Sequence, residues 1–158
     1  RSQRIKTDRN LLIMDAYNAN PSSMKAALEN FRMQKHPRKV LILGDMLELG
    51  RQEHKFHEHV LELISSVGEV EVYLVGPVFA GLKLPDSMKA FNAVEELDDY
   101  LKENELSQRL ILVKGSRNMQ PQRQLIGHGL LGHLFRQSPP ALRAGKLHFI
   151  PVSKHGRR

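Results

Sequence analysis

Apolar residues in this chain alternate between short continuous runs and helical repeats. The runs are bounded by Gly, Pro or Asp and predict strands near residues 10–16, 39–44, 71–76, 88–91 and 110–114. Between the runs, apolar residues recur every three or four positions, which predicts helices near residues 21–34, 53–66, 78–82 and 94–104. Strands that alternate with helices are typical of an α/β fold with a mostly parallel sheet.

Two of the predicted strands differ from the others in being apolar at every position. Residues 40–43 read VLIL and residues 110–113 read LILV. A strand of this kind is covered on both faces, as in the middle of a parallel sheet. We therefore expect these two strands at the sheet centre.

The segment DAYNANP, residues 15–21, joins the first apolar run to a helical pattern that begins with Pro and Ser. Ligands of α/β proteins bind where a strand ends and the next helix begins, because free backbone N–H groups and the helix dipole favour anions. The Asp15 carboxylate would suit ribose hydroxyls there. An Asp or Asn before a helix more often caps it, so the pattern alone favours capping.

Three separated motifs follow one another in order: DAYNANPSSMKAAL from Asp15, LGDMLELG from Leu43 and VKGSR from Val113, with His57 between the last two. Together they resemble the C-terminal domain of the Mur ligases, and within them the branch that adds D-alanyl-D-alanine to the UDP-MurNAc-tripeptide of peptidoglycan. The resemblance covers residues 1–117. It implies a Rossmann-like three-layer α/β domain with a mostly parallel, roughly six-stranded sheet, in a cytoplasmic enzyme.

The resemblance assigns ATP contacts to the first part of the chain. Asp15 matches a family aspartate that holds the ribose, and Arg1 matches an arginine that reaches toward the ATP phosphates, a role that suits a planar guanidinium. Asn18 and Asn20 are candidate contacts to nucleotide or substrate, or else they stabilise the turn through side-chain hydrogen bonds. Tyr17 either stacks near the base or packs against its own helix.

The amino substrate is assigned to the other end of the same region. Lys114, Ser116 and Arg117 match the family's KGSR element, which lies near the incoming amino acid. A substrate carboxylate would suit the positive charge and the hydroxyl donor found there. An ordinary surface turn is the alternative.

Asp45, Glu48 and His57 are expected to support the site. The two carboxylates follow a sheet strand, and His57 is expected to hydrogen-bond their loop. A hydrolase with paired carboxylates is the competing interpretation of Asp45 and Glu48. His54 and Glu58, one helical turn apart, suggest a zinc site, but no third ligand aligns with them, so no metal site is predicted.

Charge raises a second candidate function. The net charge is +7, yet residues 1–117 are balanced, and the excess comes from residues 118–158, which carry Lys and Arg but no Asp or Glu. A basic tail can neutralise nucleic-acid phosphates, but Phe135 and Phe149 are the tail's only aromatic residues for stacking on bases. We therefore expect no nucleic-acid partner. The tail has uncertain structure and is atypical of the family, although residues 147–152 could add a strand.

The sequence has no cysteine, so no disulfide or thiolate metal site is expected. It has no apolar run long enough to cross a membrane, so no membrane partner is expected. It also lacks a G-x-x-x-x-G-K-[ST] phosphate-binding loop, which the resembled family carries in its central domain. ATP and Mg²⁺ are therefore expected in the complete enzyme, with the N-terminal and central ligase domains as partners. These 158 residues are predicted to be inactive alone, and a non-catalytic Rossmann-like interaction domain is the alternative.

Overall fold

A computed structural model of the chain describes residues 2–15, 18–116 and, for the backbone only, 149–151. These residues form a central sheet with helices on both faces, the three-layer α/β arrangement that the sequence predicts. None of the helices in this part of the chain is long and apolar enough to span a membrane.

The described sheet has seven strands. They are β1 Gln3–Lys6, β2 Leu11–Asp15, β3 Lys39–Gly44, β4 Glu71–Val75, β5 Met88–Phe91, β6 Leu110–Lys114 and β7 Phe149–Pro151. Their spatial order is β5-β4-β3-β6-β2-β1-β7. Strands β2 to β6 pair in parallel, whereas β1 pairs antiparallel with β2 and with β7. The mostly parallel sheet is confirmed, and β1 is a strand that the apolar pattern did not predict.

Within the described residues, four α-helices connect the strands close to the predicted positions. They are α1 Pro21–Met33, α2 Glu53–Ser65, α3 Pro77–Ala80 and α4 Val94–Glu103, and a single 3₁₀ turn, Gly50–Gln52, leads into α2. Pro stands at the first position of α1 and of α3, where its missing N–H costs nothing and its fixed φ favours the helix.

The sheet separates two apolar clusters. Helices α1, α2 and α3 cover one face, with Met24, Leu28 and Phe31 of α1 buried against it, and α4 packs on the other face. Residues Val40 to Leu43 of β3 alternate between the two clusters, and each of them is 0% exposed. Burial of one such side chain is worth about 1.5–3 kcal/mol. The predicted central position of β3 and β6 is therefore confirmed.

Candidate functional site

The three sequence motifs meet at one edge of the sheet. Strand β6 lies between β2 and β3, and its last residue, Lys114, is in register with Asp15 on one side and with Leu43 on the other. The three strands are parallel, so the loops that follow them start at the same edge. This is the edge where α/β folds bind ligands.

Asp15 and Lys114 form an ion pair at this edge. The Lys114 Nζ lies 2.9 Å from the Asp15 Oδ2 and also donates a hydrogen bond of 3.1 Å to the backbone carbonyl of Asn18. The Lys114 side chain is 1% exposed and that of Asp15 is 20% exposed. The ammonium charge predicted to face a substrate carboxylate is thus compensated within the chain, while part of the Asp15 carboxylate stays accessible.

Asn20 caps helix α1. Its side-chain oxygen accepts the backbone N–H of Ser23 at 2.9 Å, and its own backbone N–H donates to the Ser23 hydroxyl at 3.1 Å. This reciprocal pair is a capping box, which satisfies two backbone donors at once. Asn20 has two candidate roles, and its hydrogen bonds to Ser23 serve one of them, stabilisation of the turn. Asn18 is exposed two residues earlier.

Asp45 is committed to the first turn of α3. Its Oδ2 accepts the backbone N–H of Val78 at 2.8 Å and its Oδ1 that of Phe79 at 3.0 Å. Gly76, with φ of 127°, makes room for this contact, since a Cβ there would lie 2.3 Å from the Asp45 Cγ. A carboxylate at a helix N-terminus is favoured by the N–H groups and by the dipole.

His57 connects the loop after β3 to helix α2. Its Nε2 accepts the backbone N–H of Met46 at 3.0 Å, and its Nδ1 lies 2.7 Å from the backbone carbonyl of Glu53. Only the neutral tautomer with a hydrogen on Nδ1 satisfies both bonds. The ring is 0% exposed and meets the Phe79 ring edge to face, with centroids 4.6 Å apart. His57 is therefore a buried connector rather than an accessible acid or base.

Glu48 lies in the same loop but has a different environment. It is exposed and adopts a φ of 62°, as does Gly50 where the loop ends. Asp45 has both carboxylate oxygens bonded to backbone N–H groups, so it is not available as one of a pair of catalytic carboxylates. The hydrolase interpretation of Asp45 and Glu48 is not supported by this geometry.

Some predicted site residues lie outside the described part of the chain. They are Arg1, Tyr17 and Arg117, and the roles assigned to them stay predictions. On α2, His54 and Glu58 are both exposed. Within the described residues, no cluster of three or more His, Cys, Asp or Glu side chains could hold a metal ion.

A groove opens beside Asp15, between α1 and the strands β1 and β2. Ile13 and Phe31 contribute apolar lining, and Arg4 and Gln34 contribute polar groups that bond to each other, with 2.5 Å between Arg4 Nη2 and Gln34 Oε1. The accessible part of the Asp15 carboxylate therefore adjoins both apolar and polar surface.

Sequence reasoning missed the Asp15–Lys114 pair and the contact of Asp45 with α3. The strand order places β6 next to β2 although nearly one hundred positions separate their sequences, and no local pattern encodes that neighbour. For Asp45, the signal was the Gly76-Pro77 step after a strand, which marks a helix start with a glycine in a left-handed conformation.

Comparison with known proteins identifies the family of this chain. The model of the Mur ligase, glutamate ligase domain, matches residues 1–117. The chain belongs to the Mur ligase family. The matched region contains the whole sheet edge described above and stops where the basic tail begins.

Several curated relatives share one name. UDP-N-acetylmuramoyl-tripeptide--D-alanyl-D-alanine ligase of Rickettsia prowazekii is 38% identical over 123 residues, which cover 75% of this chain and 27% of the relative. The Bacillus subtilis enzyme of the same name is 39% identical over 128 residues, covering 75% of this chain and 28% of the relative. This chain thus spans little more than a quarter of the length of these Mur ligases.

Solved structures show the same domain. A structure of MurF from Acinetobacter baumannii matches with a TM-score of 0.64 at 27% sequence identity and covers 75% of this chain and 27% of that chain. MurF ligase from Thermotoga maritima in complex with ADP matches with a TM-score of 0.61 at 23% identity, covering 77% of this chain and 28% of that chain. The second likeness supports the Mur ligase fold alone.

Proposed function

We propose that residues 1–117 act as the C-terminal domain of an ATP-dependent amide ligase that adds D-alanyl-D-alanine to the UDP-MurNAc-tripeptide in peptidoglycan biosynthesis. The observation that carries the proposal is the meeting of the three motifs at one sheet edge, around Asp15 and Lys114. The name shared by the curated relatives supports the same activity.

The residues at this edge fit a nucleotide. The Asp15 carboxylate keeps acceptor capacity after its bond to Lys114, because each carboxylate oxygen has two lone pairs. It also adjoins a groove with apolar lining. In the complete enzyme, ATP would supply the phosphoryl group that activates the tripeptide carboxylate. Asp15 would hold ribose hydroxyls, and Mg²⁺ and the phosphates would depend on the other domains, with Arg1 directed toward the phosphates.

The amino substrate would bind beside Ser116. Ser116 is buried two residues after Lys114, at the start of the loop that leaves the sheet centre. Since Asp15 already compensates the charge of Lys114, the positive charge for the D-alanyl-D-alanine carboxylate would come mainly from Arg117. Ser116 would contribute its hydroxyl and the loop its backbone N–H groups.

The N-terminal and central Mur ligase domains would be the partners of this domain. Closure of the domains orients the reactants and excludes water. The C-terminal domain alone does not enclose the reactants in this way. We therefore expect these 158 residues to release no phosphate from ATP with Mg²⁺, UDP-MurNAc-tripeptide and D-alanyl-D-alanine. An enzyme that uses a nucleotide-linked precursor and ATP would work in the cytoplasm.

The test of nucleotide recognition is an NMR titration of the chain with ADP. We expect amide signals near Asp15, Asn18 and Ser116 to shift. Asp15→Asn removes the charge from the acceptor and should weaken ADP binding about tenfold, because hydrogen bonds to charged groups contribute about 1.5–3 kcal/mol. Asp86→Asn makes the same change on an exposed loop and should leave the affinity unaltered. Shifts spread evenly over the surface, or equal affinities in all three proteins, would argue against a nucleotide site at Asp15.

A further inference from the structure

Lys114 is the one charged residue of a strand that is otherwise apolar. The four residues before it in β6 are Leu, Ile, Leu and Val, and all five positions are buried. Taking an ammonium group out of water costs several kcal/mol unless it is paired and hydrogen-bonded, and an apolar side chain of similar size often serves stability as well. Stability of the sheet alone therefore does not account for a lysine at this position.

The contacts of Lys114 join two loops. Its backbone ends β6 and leads directly into Gly115 and Ser116 of the predicted substrate loop. Its ammonium group holds the first loop twice, through the Asp15 carboxylate at 2.9 Å and the Asn18 carbonyl at 3.1 Å. Asp15 and Asn18 both belong to the predicted nucleotide loop. The Lys114 side chain therefore links the end of β6, where the substrate loop starts, to the nucleotide loop.

We propose that Lys114 is a positioning residue that couples the nucleotide loop to the substrate loop, a role that rests on the function proposed above. By holding Asp15 and Asn18, it fixes the carboxylate in place for ribose hydroxyls. A ligand that donates hydrogen bonds to the Asp15 carboxylate weakens the bond between Asp15 and Lys114. The resulting shift of Lys114 displaces Ser116. Two sites linked in this way raise or lower each other's affinity by the same factor.

The proposal is tested first without any ligand. Lys114→Met removes the ammonium group but keeps a long unbranched side chain, and we expect shifted signals and faster amide exchange at Asn18 and Asn20. Lys39→Met is the matched control, because Lys39 also donates to several backbone carbonyls, those of Phe31, Arg32 and Gln34, but at the far end of α1. It should leave the nucleotide loop unchanged.

The reverse direction is tested with Asp15→Asn, which should shift the Ser116 amide signal. Asp15→Asn leaves the Lys114 ammonium, on a side chain that is 1% exposed, without its carboxylate partner. If either single variant does not fold, the double variant removes both members of the ion pair and leaves no uncompensated buried charge. The double variant should perturb the nucleotide loop at Asn18 and the substrate loop at Ser116. Unchanged signals at Asn18 in Lys114→Met, or at Ser116 in Asp15→Asn, would overturn the coupling.

The ADP titration separates positioning from a purely structural role. We expect Lys114→Met to weaken ADP binding about tenfold while the folded fraction stays the same, and Lys114→Arg to recover part of the affinity. Lys114→Met could instead lower stability while its folded molecules bind ADP as tightly as the original chain. That result would contradict a positioning role for Lys114. If the original chain gives no ADP response, the nucleotide role fails, and the ligand-free signals at Asn18 and Ser116 alone decide whether the loops are coupled.

Discussion

Asn20 and Asp45 are two polar residues whose side chains satisfy backbone N–H groups at helix starts, yet they differ in how visible this role is in the sequence. Asn20 acts on Ser23, three residues away, and the Pro-Ser pattern after it predicts a helix start. Asp45 acts on Val78 and Phe79, more than thirty residues away, so the sequence around Asp45 does not reveal its partners. The Gly76-Pro77 step marks the start of their helix but not the residue that caps it.

Replacement of Asn20 distinguishes capping from nucleotide binding. Asn20→Ala should lower the free energy of unfolding by about 1 kcal/mol, because the cap of α1 is lost, whereas Asn20→Ser should cost only a few tenths of that. Urea denaturation measures both. Since the Asn20 side-chain oxygen is already bonded to Ser23, we expect the Ser variant to keep its ADP affinity. A Ser variant that is stable but fails to bind ADP would instead make Asn20 a ligand contact.

Gly76 should tolerate no side chain. Gly76→Ala would place a Cβ 2.3 Å from the Asp45 Cγ and force alanine to adopt a φ of 127°. Backbone strain together with the displaced carboxylate should destabilise the chain by about 3 kcal/mol or more. Gly68→Ala is the control, because Gly68 also has a positive φ, 96°, but nothing lies within 4 Å of its Cβ position. Thermal denaturation should rank Gly76→Ala well below Gly68→Ala, and equal losses would show that the contact with Asp45 is unimportant.

At the scale of elements, the parallel strands and all four helices were predictable from the sequence, and β1 was not. Parallel strands buried on both faces leave continuous apolar runs, and helix starts leave Pro or polar caps. In β1, which reads QRIK, only Ile5 is fully buried, so the strand has no apolar run. His57 hydrogen-bonds the loop after β3, as the sequence predicts, by accepting the Met46 N–H. It lies on the same buried stripe of α2 as Val60 and Ile64, and periodicity does not distinguish a buried polar connector from an exposed ligand.

Between α4 and the sheet lies a tyrosine hydroxyl whose ionisation should make stability depend on alkaline pH. Tyr73 of β4 is buried against Phe91 and Tyr100, and its hydroxyl donates to the Glu71 carboxylate. Burial, then the hydrogen bond to Glu71 and the charge of that carboxylate, raises the pKa of Tyr73 well above its ordinary value. The raised pKa means that the folded state keeps the proton while the unfolded state loses it above pH 10 or so.

The stability contributed by the Tyr73 proton is therefore fully present below about pH 10 and falls as the pH rises beyond it. At one pH unit above the unfolded pKa the loss should reach about 1.4 kcal/mol. We expect the original chain to lose that much more than Tyr73→Phe when urea denaturation at pH 9 is compared with pH 11. Parallel losses in the two proteins would show that the Tyr73 hydroxyl ionises normally in the folded state.

At the scale of the whole molecule, the family match covers residues 1–117, in which Lys plus Arg balance Asp plus Glu, and the excess positive charge follows it. The sequence predicts a division at residue 117, and every Asp and Glu of the chain precedes that position. The sequence indicated a possible strand at residues 147–152 but not its partner in the sheet. Strand β7 pairs with β1, so residues 149–151 cover the outer edge of the family domain.

Removal of β7 should expose β1. A chain that ends at residue 148 should show faster hydrogen exchange in β1, because the backbone groups that faced β7 become open to water. The rest of the sheet should keep its protection, since its clusters are built from other elements. A chain that ends at residue 151 keeps β7 and is the control. The same β1 exchange rate in both truncated chains would contradict a protective role for β7.

The pairing of β1 with β7 also makes the described chain almost a closed ring. Gln3 and Pro151 lie directly opposite each other in the two strands, although 148 positions separate them in the sequence. Neighbouring residues of an antiparallel pair are about 5 Å apart, a gap that a short peptide linker bridges. A circular permutant that joins these strands and begins instead at the exposed turn around Gly68 would keep every strand neighbour of the sheet and present new ends on the opposite side of β3 from Asp15.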